Sequence, residues 1–114
     1  IIINNNSLIF IPDIDKWETW ETSITELIKK VNYAFLDATF YKNGELKRDM
    51  SEIPHPFVEE SMKLFSKLSE NDKEKIHFIH FNHTNPLLQE GNNAQKEVLK
   101  KGFNLAKEGQ IIKF

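Results

Sequence analysis

The chain contains no cysteine, and this absence excludes disulfide bonds, thiolate zinc sites and cysteine nucleophiles. It also lacks an excess of either charge, because 15 Lys and Arg against 17 Asp and Glu leave a net charge of -2. This balance gives no overall field to attract nucleic acid or anionic lipid. No apolar run approaches the roughly 20 residues that cross a bilayer, and the first residues lack the basic region of a signal peptide. We therefore expect a cytoplasmic protein.

The size and composition are those of one small globular domain. The chain has 114 residues, of which 39% are hydrophobic and 28% charged, so disorder is not expected. It opens on Ile1-Ile2-Ile3, a β-forming run that the pattern predicts to be part of a strand. From this start inside a strand we expect that an N-terminal portion of the full-length protein is missing here.

Apolar patterns along the chain predict alternating strands and helices. Continuous runs of β-forming residues predict buried strands, and apolar residues at helical spacing predict amphipathic helices. The predicted elements are a strand at 7–11, a helix from Trp17 to Val31, a strand from Tyr33 to Leu36, a helix from Val58 to Leu68, a strand from Ile76 to Phe81, a helix around 94–101, and a hairpin of 103–106 with 111–114. This alternation predicts a layered α/β fold.

Polar residues with metal-binding chemistry follow three of the predicted strands. Asp13 and Asp15 follow the first, Asp37 closes the second, and His80 and His83 follow the third. Ligands of open α/β sheets bind beyond the carboxyl ends of the strands, and zinc, iron and manganese accept carboxylate and imidazole ligands. Aspartates after strands are also common helix caps and turn formers, so residue type alone leaves both interpretations open.

The order of these segments resembles the metallo-β-lactamase superfamily. Ile9-Phe10-Ile11-Pro12-Asp13 resembles the strand whose aspartate bridges two metals in that superfamily. Ala34-Phe35-Leu36-Asp37-Ala38-Thr39-Phe40 resembles an acidic strand end found downstream in several branches. Phe78-Ile79-His80-Phe81-Asn82-His83-Thr84-Asn85-Pro86 resembles the strand with the last metal-binding histidine.

Within the superfamily the chain is most similar to the branch of pyrroloquinoline quinone biosynthesis protein B and its relatives. The string from His80 to Pro86 is the most specific part of this resemblance, which covers nearly the whole chain. The superfamily's main motif, His-x-His-x-Asp-His, is absent and belongs to the N-terminal half. The resemblance thus implies that residues 1–114 are the C-terminal portion of one domain, the second half of an αββα sandwich. This branch usually carries Asn in place of His83 and does not reliably carry Asp13.

The resemblance implies metal-binding roles for Asp13 and His80. Asp13 would bridge two cations, and the alternative is that it caps the helix containing Trp17, for which Asp15 is at least as well placed. His80 would coordinate metal through a neutral imidazole, and the alternative is a hydrogen-bonded core histidine. His77 has no matching motif and is expected to be structural or exposed.

Roles in catalysis are assigned to His83 and Asp37. His83 is a general acid, a residue that supports a metal ligand, an alternative ligand, or a turn residue bonded to local backbone. Asp37 resembles a position that orients neighbouring residues of the site, and this role is favoured over direct binding of a metal. His55 lies between two prolines, and two interpretations are open: a position on a loop over the site, or an ordinary surface loop position, which is favoured.

These assignments predict a metal-dependent hydrolase that holds two divalent metal ions in the intact protein. Zinc is the expected metal. Its small-molecule substrate would be an ester, phosphodiester or amide, attacked by a metal-activated water. The alternative is a non-hydrolytic protein that binds a quinone precursor or a partner on the same scaffold. The expected partners are the missing N-terminal half and, in addition, further copies of the chain. We expect the 114-residue chain alone to be inactive.

Overall fold

A mostly parallel sheet organises the part of the chain that the computed structural model describes, residues 2–3, 6–12, 14–17, 23–42, 44–46, 50, 53–89 and 91–106. Neighbouring strands follow one another in chain order across the sheet. β1 pairs with β2 in antiparallel fashion, and every later neighbour is parallel. The strands are β1 (Ile2–Ile3), β2 (Asn6–Ile11), β3 (Tyr33–Asp37), β4 (Ile76–Ile79) and β5 (Asn104–Leu105).

Helices connect the parallel strands, as such connections require. They are α1 (Ile24–Lys30), α2 (Val58–Leu64), α3 (Glu70–Glu74) and α4 (Asn93–Lys100). Local signals set their ends: Ser23 caps α1 by accepting a hydrogen bond from the backbone N–H of Glu26, and Gly102 follows α4 with φ of 95°. The predicted mixed α/β fold is therefore confirmed.

The helices cover one face of the sheet, where the core lies. Alternate side chains of the central strands, Ala34 and Leu36 in β3 and Ile76 and Phe78 in β4, are fully buried. They belong to one cluster with buried side chains of the helical segments and with Trp17. Helix residues in this cluster are Ile24, Ile28, Val58, Met62 and Val98.

The described helices leave the opposite face of the sheet uncovered. Residues of β2, β3 and β4 that alternate with the core positions lie there, with Phe10 in register with Phe35 and Phe35 in register with His77. The Phe10 side chain is 60% exposed, whereas Phe35 and His77 are half-buried and stack with ring centroids 5.0 Å apart. We call this aromatic surface the open face. It is apolar surface on a parallel sheet, a type of sheet that is usually covered on both sides.

Several predicted boundaries were wrong. The helix from Trp17 to Val31 is not continuous, because Ser23 is extended and α1 begins after it; residues 18–22 lie outside the described residues. The strand predicted to reach Phe81 ends at Ile79, because His80 adopts φ of 66°, which a strand cannot accommodate.

Two further differences concern helical and hairpin segments. α3 has no apolar stripe, so its sequence showed no helical periodicity; it forms on a Ser69 cap that accepts from the Asp72 backbone N–H. β5 runs parallel to β4 within 103–106, and the predicted second arm at 111–114 lies outside the described residues.

Candidate functional site

Asp37, at the carboxyl end of β3, lies at the centre of a buried hydrogen-bond network. Its side chain is 0% exposed. Oδ1 accepts bonds from the Thr39 backbone N–H at 2.8 Å and the Thr39 hydroxyl at 2.7 Å. Oδ2 accepts from the Ile14 backbone N–H at 3.0 Å and lies 2.7 Å from His55 Nδ1. A carboxylate only accepts hydrogen bonds, and these donors offset the cost of burying it.

This network joins segments that are far apart in the chain. Ile14 follows β2, Thr39 follows β3, and His55 lies in the loop before α2. The Asp37 carboxylate therefore fixes the positions of the loops beyond two neighbouring strand ends. In a parallel sheet this is the edge at which ligands bind.

His80 joins the network through Thr39. The Thr39 hydroxyl, which is buried, lies 3.0 Å from His80 Nδ1, while the His80 residue as a whole is exposed. The left-handed backbone of His80, with φ of 66°, is uncommon for a residue with a side chain. Such backbone conformations persist when surrounding interactions hold them, and they cluster at functional sites. His80 is therefore not a core histidine.

His55 occupies the position that the sequence analysis considered but did not favour, in the loop beside Asp37. Its side chain is 19% exposed and bonded to Asp37, so the predicted surface position was wrong. Its ring meets the ring of Phe40 edge-on, with centroids 6.1 Å apart. Phe40 and Phe57 form an isolated parallel bridge and pack with buried Met50 in a second apolar cluster. The flanking prolines, which restrict the local backbone, were the only sequence signal for this ordered position.

The turn that contains His83 is attached to the end of β3. Asn85 is buried, donates from Nδ2 to the Ala38 carbonyl at 2.7 Å and accepts from the Leu87 N–H at 3.0 Å. The Asn82 N–H donates to the Thr39 carbonyl at 2.9 Å. His83 itself is exposed, and within the described residues no hydrogen bond joins it to Asp37 or to His80.

The predicted metal ligands are placed only in part. Asp13 lies outside the described residues, although the next residue, Ile14, is bonded to Asp37. Asp15 is exposed and accepts from the Lys16 N–H at 2.7 Å, and the residue that caps α1 is Ser23. Among the described residues, no group of three or more His, Asp or Glu side chains is placed to hold a metal ion.

Other features of the described residues lie away from the Asp37 network. His77 lies on the open face, away from the strand ends, and burial lowers its pKa below the usual 6.5. A groove on the helical side, between α2, α3 and the end of α4, includes Met62 and Phe103. No helix in the described residues is long and apolar enough to cross a membrane.

Comparison with known proteins identifies a structural relative. Neither models of protein families nor curated protein sequences match the chain. Among solved structures, the chain is similar to zinc-bound PqqB from Methylobacterium extorquens, with a TM-score of 0.77 and 18% identity. The match covers 97% of this chain and 41% of the PqqB chain. This coverage is consistent with the predicted correspondence to the C-terminal half. The chain therefore has the fold of part of PqqB, a metallo-β-lactamase-fold protein, as the sequence resemblance implied.

Proposed function

We propose that the full-length protein is a metal-dependent hydrolase that acts on a small ester, phosphodiester or amide. The observation that supports this most directly is the Asp37 network, which gathers Ile14, Thr39, His55 and, through Thr39, His80 at the carboxyl ends of the strands. This edge of a parallel sheet is where ligands bind, and the carboxylate holds two loops and the His55 ring in fixed positions there.

His80 fits the role of one metal ligand. Metal-binding histidines usually bond their second ring nitrogen to a neighbouring oxygen, which orients the ring. The bond between His80 Nδ1 and the Thr39 hydroxyl has this form, and Nε2 remains as the nitrogen that would face a metal. Asp13, beside the anchored Ile14, would provide a carboxylate, and the remaining ligands would come from the rest of the protein. Bound zinc ions, two in the intact protein, would polarise the substrate and lower the pKa of a coordinated water.

Two further residues of this chain, Asp37 and His83, have supporting roles in the proposed reaction. Asp37 orients the loop after β2, the Thr39 hydroxyl and the His55 ring, and therefore holds the site in place. His83 is exposed in the turn beyond β4, where its imidazole can exchange protons with solvent and with a bound substrate. We propose it as the proton-transfer group.

The open face supports the proposed αββα sandwich. The described residues form one layer of sheet with helices on one side, and the relative of known structure contains more than twice as much chain. A second sheet packed on Phe10, Phe35 and His77 would cover the open face, as parallel sheets normally require. The proposed partner is therefore the remainder of the same domain.

The proposal is tested by replacing His80 and His83 with alanine, one at a time, in the full-length protein. His80→Ala should remove or greatly weaken one metal, because the cation loses a ligand. His83→Ala should keep the metal but lower the hydrolysis rate by about 10–100-fold, as loss of a proton-transfer or supporting group does. Metal content and rate are measured on the same purified samples.

The outcomes separate the alternatives. If His83→Ala loses the metal and His80→Ala keeps it, the two roles are reversed. If neither variant changes the metal content, the hydrolase proposal fails, and the non-hydrolytic binding protein becomes the better explanation. Tight stoichiometric zinc in the 114-residue chain alone would contradict the proposal that most ligands lie elsewhere, since a catalytic zinc usually needs three protein ligands.

A further inference from the structure

We infer that Thr39 is a positioning residue that fixes the tautomer of His80, so that the ring carries its proton on Nδ1 and presents the lone pair of Nε2. As a description of the protonation state, this inference stands on the hydrogen bonds of the chain. As a means of presenting Nε2 to a metal, it rests on the proposed function.

The argument begins at the Asp37 carboxylate, which can only accept hydrogen bonds. The Thr39 hydroxyl has one proton, and its oxygen lies 2.7 Å from Asp37 Oδ1. If the hydroxyl proton pointed elsewhere, two oxygen lone pairs would face each other at this distance inside a buried site. The hydroxyl of Thr39 therefore donates to Asp37.

The direction of the next bond follows from the first. Having donated its only proton, the Thr39 oxygen can only accept from His80 Nδ1, which lies 3.0 Å away. His80 Nδ1 must then carry a proton, and in the neutral ring Nε2 is left with the lone pair. The Thr39 N–H also donates to Asp37 Oδ1 at 2.8 Å, and this bond holds the accepting oxygen beside the Thr39 hydroxyl.

The backbone supports the same assignment. The strand ends at Ile79, the Ala38 N–H donates to the Ile79 carbonyl at 2.7 Å, and His80 turns left-handed immediately afterwards. This turn places the His80 ring against Thr39, in the neighbouring strand end. Thr39 itself is tied to the turn that follows His80 by the bond from the Asn82 N–H.

The test uses nitrogen chemical shifts of the imidazole rings in the ¹⁵N-labelled, zinc-free full-length protein, at a pH where the rings are neutral. The His80 signals, assigned by their loss in His80→Gln, should show a pyrrole-type Nδ1 and a pyridine-type Nε2. Thr39→Val keeps the branched shape but removes the acceptor, and should allow the proton to move to Nε2. Thr39→Ser keeps the hydroxyl and should restore the wild-type pattern. His83, exposed in the same turn, is the internal control and should be the same in all forms.

A wild-type His80 ring with its proton on Nε2 would overturn the inference, and so would a Thr39→Val spectrum identical to the wild type. The wild-type spectrum decides the question even if Thr39→Val fails to fold. In the full-length protein, zinc affinity should fall about 10–100-fold in Thr39→Val and recover in Thr39→Ser. If the tautomer behaves as inferred but His80→Ala leaves zinc binding unchanged, the tautomer assignment stands and the proposed function fails.

Discussion

Replacing Asp37 by Asn should destabilise the fold far more than its small change in shape suggests. Each oxygen of the Asp37 carboxylate faces two groups that donate to it or lie within hydrogen-bonding distance. An amide has one oxygen and one NH₂ group, so one of the two positions must direct donors at donors. If the NH₂ group takes the place of Oδ1, the backbone N–H of Thr39 loses its acceptor. If it takes the place of Oδ2, the backbone N–H of Ile14 loses its acceptor.

The size of the effect follows from these contacts. An orphaned buried donor costs about 1–3 kcal/mol, and bonds to a charged acceptor lose strength when the charge is removed. Together we expect a loss of about 2–4 kcal/mol in the free energy of unfolding. The amide should place its NH₂ on the Oδ2 side, because Ile14 is only half-buried and its N–H can recover a bond to water more readily than that of buried Thr39.

Urea unfolding followed by tryptophan fluorescence measures this loss. Trp17 is a suitable probe, since it is buried and its Nε1 donates to Ser61 Oγ at 2.8 Å. Glu26→Gln is the matched control: Glu26 pairs with Lys29 at 3.3 Å on α1, with both side chains at least half exposed, and a surface pair of this kind contributes at most about 1 kcal/mol. A free energy of unfolding for Asp37→Asn within about 0.5 kcal/mol of the wild type, with an unchanged slope, would refute the buried network as described.

Two further predictions concern the open face. Because burial lowers the pKa of His77, the unfolded chain binds a proton at this residue more readily than the folded chain. The free energy of unfolding should therefore fall as the pH drops below about 6.5. In urea titrations at pH 5 and pH 8, His77→Phe should reduce this loss. An equal pH dependence in both proteins would contradict the burial of His77. The 114-residue chain alone should also self-associate through the open face, where Phe10 is 60% exposed, and Phe10→Lys should shift it towards monomer in sedimentation velocity. The control is Leu99→Lys, at a side chain that is 54% exposed on α4, and it should leave association unchanged. An effect equal to that of Phe10→Lys would count against the open face as the contact surface. A wild-type chain that is already a stable monomer would count against it as well.

Elements with a strong local pattern could be predicted from the sequence alone. The runs that became β2, β3 and β4 are short and rich in β-forming side chains, and α4 ends at a glycine in the left-handed conformation that favours it. The polar residues after these strands were predicted to gather at one edge, since parallel strands present their carboxyl ends together. The family resemblance, which depends on short motifs in a fixed order, correctly predicted the fold shared with part of PqqB.

What the tertiary structure decided was which of these residues meet. His55 lies 18 positions from Asp37, His80 lies 41 positions from Thr39, and no periodicity links such pairs. The sequence placed Asp37 in a supporting role but could not show that its carboxylate is fully buried, nor that it joins two loops and two histidines. Likewise, the tautomer of His80, which follows β4, depends on the proton that the Thr39 hydroxyl donates to Asp37 at the end of β3. Such hydrogen bonds depend on the three-dimensional approach of distant segments, whereas strands, helices and caps depend on neighbours in the chain, and only the latter can be predicted from local sequence.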